Sequence, residues 1–311
     1  MVKLPWQRAT PRVSVVVPLY NHAGYIAEAV ASILAQGRLV HEIVVLDDGS
    51  TDGSAVVMQG LARQDPRLRF ERQANRGAHA AINAAVALCS GELVAILNSD
   101  DAWLPGRLAA LVAALDADPT AGMASSGLRF MDGKGAEIEN AWYEAALGFH
   151  LAGAELGVAL LNGNFVMTTS NLLIRREALA AVGPFAALRY VHDLDWLLRA
   201  LALGQRLALV KTPLLRYRIH ASNTIAEDHA GVRAEWAIAA AAYLALLWHR
   251  PHAPPIDWDH AGAAQAVLRR HELDRAATLC MAYLRRGGVF GLDRSELLGD
   301  EAFRARVKGW V

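Results

Sequence analysis

Val13-Ser14-Val15-Val16-Val17-Pro18-Leu19-Tyr20-Asn21 opens the regular pattern of this chain. Its first five residues are a nearly unbroken β-branched run, which reads as a strand buried on both faces. Within Gly24–Gln36, residues Ile26, Val30, Ile33 and Leu34 then recur at helical spacing. The same alternation continues outward. It predicts a second buried strand over Glu42–Leu46, a helix over Asp52–Gln64, and a short strand over Leu68–Phe70. A helix over Gly77–Leu88 and a third strong strand over Glu92–Leu97 follow. Repeated strand–helix–strand units imply a parallel sheet with right-handed crossovers and helices on both faces. Ligands on such sheets bind beyond the carboxyl ends of the strands.

The polar clusters of the chain fall at those ends. Pro18 to Asn21 follow the first strand, Asp47-Asp48-Gly49-Ser50-Thr51-Asp52-Gly53-Ser54 the second, and Asn98-Ser99-Asp100-Asp101 the later one. Three strand ends meeting on one rim imply one site. A calcium-loop reading that starts at Asp48 fails, because its twelfth position is Gln59 where a bidentate acid is required. No Walker loop and no Gly-x-Gly-x-x-Gly follows the first strand, so a nucleotide here would meet carboxylates and backbone. The adjacent acids Asp100 and Asp101 repel each other at the end of a buried strand. A hard divalent cation, Mn²⁺ or Mg²⁺, would neutralise them.

Four segments carry a resemblance in their order and spacing: Val13–Asn21, Asp47–Asp52, Asn75-Arg76-Gly77 with Asn83, and Gly91–Asp101. Together they resemble the motifs of family 2 glycosyltransferases, over about residues 12–225. The resemblance implies an inverting enzyme of the GT-A fold that uses a nucleotide-sugar donor, with UDP as the expected nucleotide. It places Pro18, Tyr20 and Asn21 along the nucleoside. It places Asp48 on the uracil N–H, with Asp47 beside it, and Arg76 and Asn83 in the nucleotide pocket. Asp101 matches the metal ligand and Asp100 the ribose or sugar contact. Asn98 stands where many members have an acid. In His192-Asp193-Leu194-Asp195, Asp193 matches the catalytic base and Asp195 is the runner-up; His192 replaces the usual Glu. His220 is expected to complete the metal shell and Arg218 to meet phosphate. Gly163-Asn164 and Ser170-Asn171 are expected on the acceptor side.

The expected plan is a GT-A (Rossmann-like) mixed, mostly parallel sheet flanked by helices. A catalytic domain is expected over 1–228 and an α-helical extension over 229–311. The extension reads as a helical cap, or as an acceptor, homodimer or membrane-surface module. The expected acceptor is a hydroxyl of a glycan or lipid-linked glycan, as in bacterial surface polysaccharide synthesis. The alternatives are transfer to a polyprenyl phosphate, or nucleotide-sugar binding without catalysis.

Composition agrees with this. The 311 residues carry 31 basic and 31 acidic side chains, a net charge of zero that argues against a dedicated nucleic-acid binder. Of the 54% apolar residues, 59 are alanine, a helix former. Cys89 and Cys280 are too few for a disulfide framework and are expected as buried thiols in a reducing cytosol. Met1–Pro11 is polar, so no secretory leader is expected there. The apolar run Trp236–Trp248 falls short of the roughly 20 residues that span a bilayer, so no membrane helix is expected. A Pro- and His-rich linker is expected over His249–His260.

Overall fold

All seven residues of strand β1 (Val13–Leu19) are buried, as their β-branched run requires. β1 pairs in parallel with β2 (Val40–Asp47) on one side and β4 (Leu93–Ile96) on the other. β3 (Leu68–Arg72) extends the parallel half beyond β2. Beyond β4 the direction reverses. β8 (Leu173–Arg175) runs antiparallel to β4, and β6 (Ala121–Asp132) antiparallel to β8. β9 (Arg206–Ile219) and the short β5 (Ala102–Trp103) complete the order β3-β2-β1-β4-β8-β6-β9-β5, with β7 (Glu137–Ile138) paired to β6. This mixed sheet, flanked by helices, is the expected GT-A plan. The computed structural model describes residues 12–249, 258–285 and 295–311. The polar start of the chain and most of the expected linker lie outside the described residues.

The chain divides into two compact units that interleave along the sequence. The first comprises Met1–Glu137, Thr169–Ala181 and Arg206–Arg218, and the second Ile138–Thr168, Val182–Gln205 and Ile219–Val311. The grouping therefore cuts across residue 228: segments 138–168 and 182–205 join the C-terminal helices.

The first unit carries the sheet with helices α1 (Ile26–Leu34), α2 (Ser54–Ala62), α3 (Ala78–Leu88) and α4 (Arg107–Ala117), and α7 (Arg176–Val182) follows β8. Residues 206–219 form one strand that continues through Lys211–Pro213. Gly127 of β6 allows this: a Cβ there would stand 2.8 Å from the Lys211 carbonyl oxygen and 3.2 Å from Pro213. The N-cap of α2, Gly53, has no side chain with which to cap the helix. Asp52 accepts the Ser54 N–H at 2.9 Å instead.

The second unit is helical. It contains α5 (Ala141–Leu151), α6 (Leu156–Asn162), α8 (His192–Ala202), α9 (His229–His249), α10 (Trp258–Arg270), α11 (Asp274–Arg285), α12 (Ser295–Gly299) and α13 (Glu301–Lys308). α9 starts earlier than the apolar run alone suggested. His229–Trp248 is long and apolar enough to cross a membrane by length and composition, yet 67% of that window is buried inside the chain. Ala237–Tyr243 is buried on every face, the mark of a core helix. Cys89 and Cys280 are buried free thiols, and burial pushes both up to about 12.

Candidate active site

β1 lies between β2 and β4, so their carboxyl ends bring the three polar clusters together. Asn21 takes a left-handed conformation at φ 53°, which asparagine tolerates better than most residues. From there its Oδ1 accepts the Thr51 N–H at 2.8 Å, while its own N–H donates to Ser50 Oγ at 2.9 Å. His22, just past the first cluster, reaches the other two: its N–H donates to Ser54 Oγ at 3.0 Å, and its Nδ1 lies 2.8 Å from Ser99 Oγ. Pro18 is buried at the end of β1, and Tyr20 stands 45% exposed above it.

The acids of the second cluster divide by role. Asp47 does not face the rim. It is fully buried, with Oδ1 accepting the Ser50 N–H at 2.8 Å and Oδ2 the Arg72 guanidinium at 2.7 Å. These bonds hold the loop. Asp48 accepts from Gln73 Nε2 at 2.7 Å, the Arg76 N–H at 2.9 Å and the Gly77 N–H at 2.8 Å. Three donors leave one of a carboxylate's roughly four acceptor directions. Gly77, at φ 89°, starts α3 and turns its N–H toward Asp48. The Arg76 side chain is exposed beside it, and Asn83 is half-buried one turn along α3.

In the third cluster the two acids differ in burial and partners. Asp101 is 1% exposed, with Oδ2 accepting from Ser170 Oγ at 2.6 Å and Oδ1 from the Arg218 N–H at 2.9 Å. Burial first, and the neighbouring Asp100 second, push its carboxyl well above the ordinary range. Asp100 instead points its Oδ2 to within 4.0 Å of His22 Nε2. Nitrogen and oxygen donors of this kind suit a divalent cation. Asn98, standing in the usual acid position, accepts from Thr169 Oγ1 at 3.1 Å.

Arg218 adjoins this cluster. It is buried, and its Nε donates to the Asp100 carbonyl at 2.7 Å, its Nη2 to Glu28 at 2.5 Å. The guanidinium lies 4.7 Å from the Tyr25 ring centroid. It braces the Asp100 loop. Arg107, missed in the sequence, does similar work. Its Nη2 donates to Asn171 Oδ1 at 2.9 Å and its Nη1 to Ser126. Burial pulls it down to about 9 against the opposing pull of Asp101. Its signal was a lone cation on the stripe Leu108, Leu111, Val112 and Leu115, the buried face of α4. Ser170 and Asn171, expected on the acceptor side, belong to this buried network.

In the second unit, α8 opens at His192 and places Asp193 and Asp195 in its first turn. Asp193 is 7% exposed, and its Oδ2 accepts from Asn164 Nδ2 at 2.8 Å. Burial raises its carboxyl to about 6, against the lowering effect of the Leu194 N–H and of Asn164. A carboxylate near 6 suits proton abstraction at neutral pH. Asp195 is fully buried and pairs with Arg199 at 3.0 Å, one turn along the helix. Arg199 also donates to the Val182 and Pro184 carbonyls at 2.7 Å each. That set gives Asp195 a structural task. His192 is held neutral by burial, at about 4, and its Nδ1 has no hydrogen-bond partner among the described residues. The N–H of His220 donates to Asn223 Oδ1 at 2.5 Å, and its Nδ1 lies 2.9 Å from Ser222 Oγ.

Comparison with known proteins accords with this geometry. An uncharacterized glycosyltransferase of Nostoc (alr2836) is 34% identical over 216 residues, 68% of this chain and 66% of its own length. The succinoglycan biosynthesis protein ExoU of Rhizobium meliloti is 43% identical over 101 residues, 32% of this chain and 29% of its own. The match thus spans less than two thirds of each of these two relatives. Among solved structures, TarS of S. aureus in complex with UDP aligns at TM-score 0.61 and 16% identity. That alignment covers 95% of this chain and 80% of TarS. The mannosyltransferase PcManGT of Pyrobaculum calidifontis, in complex with GDP-Man and Mn²⁺, aligns at TM-score 0.58 and 23% identity. It covers 99% of this chain and 88% of that one. At these identities the likeness concerns the fold. The model of the family described as "Glycosyl transferase family 2" matches residues 14–183. With that match over more than half its length, the chain belongs to glycosyl transferase family 2, and it has the GT-A fold.

Proposed function

We propose that this glycosyltransferase moves a sugar from a nucleotide-sugar donor, UDP-linked in the first instance, to a hydroxyl group, with inversion at the anomeric carbon. The observation that carries the reading is Asp193: a buried carboxylate, oriented by Asn164 and raised to about 6. It takes the proton of the acceptor hydroxyl as the oxygen bonds to the anomeric carbon. The bond from that carbon to the diphosphate oxygen breaks in the same step, and the nucleoside diphosphate leaves on the opposite face. One base and one displacement invert the configuration, so an α-linked donor gives a β-linked product.

On the donor side, Tyr20 and Asn21 lie along the nucleoside, with Pro18 forming the backbone beneath them. Asp48 accepts the base N–H with its remaining acceptor direction, and Arg76 and Asn83 flank it. Asp47 contributes by fixing the loop. Asp100 and His22 are the cation donors, and His220, two residues past Arg218, is the proposed third by its family correspondence. Bound there, Mn²⁺ or Mg²⁺ would offset the charge that grows on the leaving diphosphate. The acceptor is a glycan or lipid-linked glycan of a bacterial surface polysaccharide; the relative ExoU is named for succinoglycan biosynthesis. The enzyme then works in the cytoplasm, peripherally at the membrane that bears such acceptors.

Calorimetry with UDP-glucose, UDP-galactose, UDP-N-acetylglucosamine and GDP-mannose, with and without Mn²⁺, tests the donor reading. Mn²⁺ is expected to tighten one donor by at least about tenfold, or 1.4 kcal/mol. Asp100→Ala is expected to bind that donor equally with and without metal, while Asp101→Asn keeps the metal effect. A metal effect that survives Asp100→Ala and disappears in Asp101→Asn would return the ligand role to Asp101. No binding of any nucleotide sugar would overturn the donor assignment.

A further inference from the structure

α9 carries a single acid, Glu235, in an otherwise apolar and alanine-rich sequence. It is 3% exposed, and burial pushes its carboxyl above the ordinary range. Its Oε1 accepts the Arg189 N–H at 2.9 Å, and its Oε2 accepts the Tyr190 N–H at 2.7 Å and the Val191 N–H at 3.3 Å. These three consecutive amides lead directly into α8. Val191 is the N-cap of that helix and provides no side-chain hydrogen bond. Apolar β-branched caps leave the entry to a helix poorly held. Asp193 follows two residues later.

Neighbouring contacts grip the same segment. Gly231, one turn before Glu235, lies so close that a Cβ there would stand 2.8 Å from the Tyr190 ring. Arg189 Nε donates to Glu227 at 2.9 Å. From α13, Arg304 Nη2 reaches Glu235 Oε1 at 3.3 Å, and Lys308 pairs with Asp228 at 2.5 Å. An apolar side chain of similar volume would pack α9 against α8 with no desolvation cost. A buried carboxylate accepting from three successive amides does something packing does not: it fixes where α8 begins and how its first turn is rotated.

We propose that Glu235 is a positioning residue for Asp193, and that α9 and α13 of the C-terminal extension form the brace that aims the base. The proposal rests on the reading of Asp193 as the base. It gives residues 229–311 a catalytic purpose beyond covering a core. Misplacement of a reacting group by about 1 Å costs on the order of 100-fold in rate, and the clamp acts at that scale.

Glu235→Gln keeps the shape but turns an amide NH₂ toward backbone N–H groups. In the full chain it is expected to lower kcat on the order of 100-fold, with donor KM and calorimetric donor affinity within about twofold of wild type. The reaction is followed as diphosphate release from whichever of the four nucleotide sugars is turned over with Mn²⁺. Hydrogen–deuterium exchange at Arg189–Val191 is expected to rise at least about tenfold, a local opening. In an Asp193→Asn background the substitution is expected to cause no further loss, because there is no base left to aim. Arg304→Met leaves the carboxylate in place. It is expected to lower kcat several-fold in the same pattern, and it serves as the test if Glu235→Gln does not fold. The clamp is overturned if amide exchange at 189–191 is unchanged. The positioning role is overturned if kcat stays within about threefold of wild type, or if the loss is equal in the Asp193→Asn background. Exchange is read without turnover. An active Asp193→Asn enzyme would therefore sink the base assignment while leaving the clamp separately measured.

Discussion

Asp193→Asn is expected to lower kcat by roughly 100- to 10,000-fold while donor affinity stays at the wild-type value. Asparagine keeps an oxygen for the Asn164 amide, so the side chain holds its place and loses only its capacity to take a proton. The same substitution is expected to stabilise the chain at neutral pH. Burial raises the Asp193 carboxyl from an unfolded value of 3.8 to about 6. A raised carboxyl contributes stability that is fully present below the unfolded value, near pH 4, and is lost as pH rises through about 6. Above that, keeping the ionised group buried costs on the order of 3 kcal/mol. Asparagine does not ionise, so the variant should melt above wild type at pH 7 to 8 and level with it at pH 4. Wild-type transfer should fall as pH drops below about 6, where the base is protonated. Thermal melts at both pH values and a transfer assay check all three outcomes. Rapid transfer by the variant, or a melting difference that is the same at both pH values, would remove the assignment.

Asp195→Ala is expected to have the largest effect on stability. Asp195 and Arg199 are both buried, at 0% and 6% side-chain exposure, and lie 3.0 Å apart. Removing the acid leaves the guanidinium in the interior without its carboxylate, still donating to the Val182 and Pro184 carbonyls. Breaking a buried pair from one side costs about 3–5 kcal/mol, which lowers Tm by roughly 10 °C. Asp195→Asn keeps an acceptor for Arg199 Nε and should lose less. Thermal unfolding followed by circular dichroism checks the order wild type, Asn, Ala. An alanine variant melting within about 2 °C of wild type would show that the pair carries no such load. Transfer lost in Asp195→Asn and kept in Asp193→Asn would exchange the two roles.

These two acids show what the sequence could and could not disclose. Spacing alone located both in the first turn of a helix, because an acid-rich start before Leu194, Trp196 and Leu197 is a helix N-terminus signal. It could not tell them apart. Their difference comes from Arg199 one turn on and from Asn164, which the fold supplies from a distant segment. Asp100 and Asp101 repeat the lesson. Both lie at the end of β4, where the strand pattern put them. Which one turns outward depends on Ser170 and on the Arg218 backbone, and both are set by the antiparallel half of the sheet.

The parallel half was legible because β1, β2 and β4 are continuous apolar runs bounded by turn residues. The antiparallel half was less so. β9 crosses Pro213, and the pairing that permits this needs Gly127 on a strand far away in sequence. The burial of the charged residues Arg107, Arg218 and Glu235 was not legible in the sequence, for one reason. A charged residue on a helix or strand reads as solvated until the opposing elements are known, and almost none is fully buried without a partner. Each of these three proves to hold backbone or side chains at the rim or at the start of α8.

The most direct test of a single displacement with Asp193 as its one base is the anomeric configuration of the product. Proton NMR of the glycoside formed from an α-linked nucleotide sugar reads it from the coupling at the new anomeric centre. The expected result is a β-linked product, formed by the wild type and not by Asp193→Asn. An α-linked product would require two displacements or a different reaction face, and would contradict the role given to Asp193.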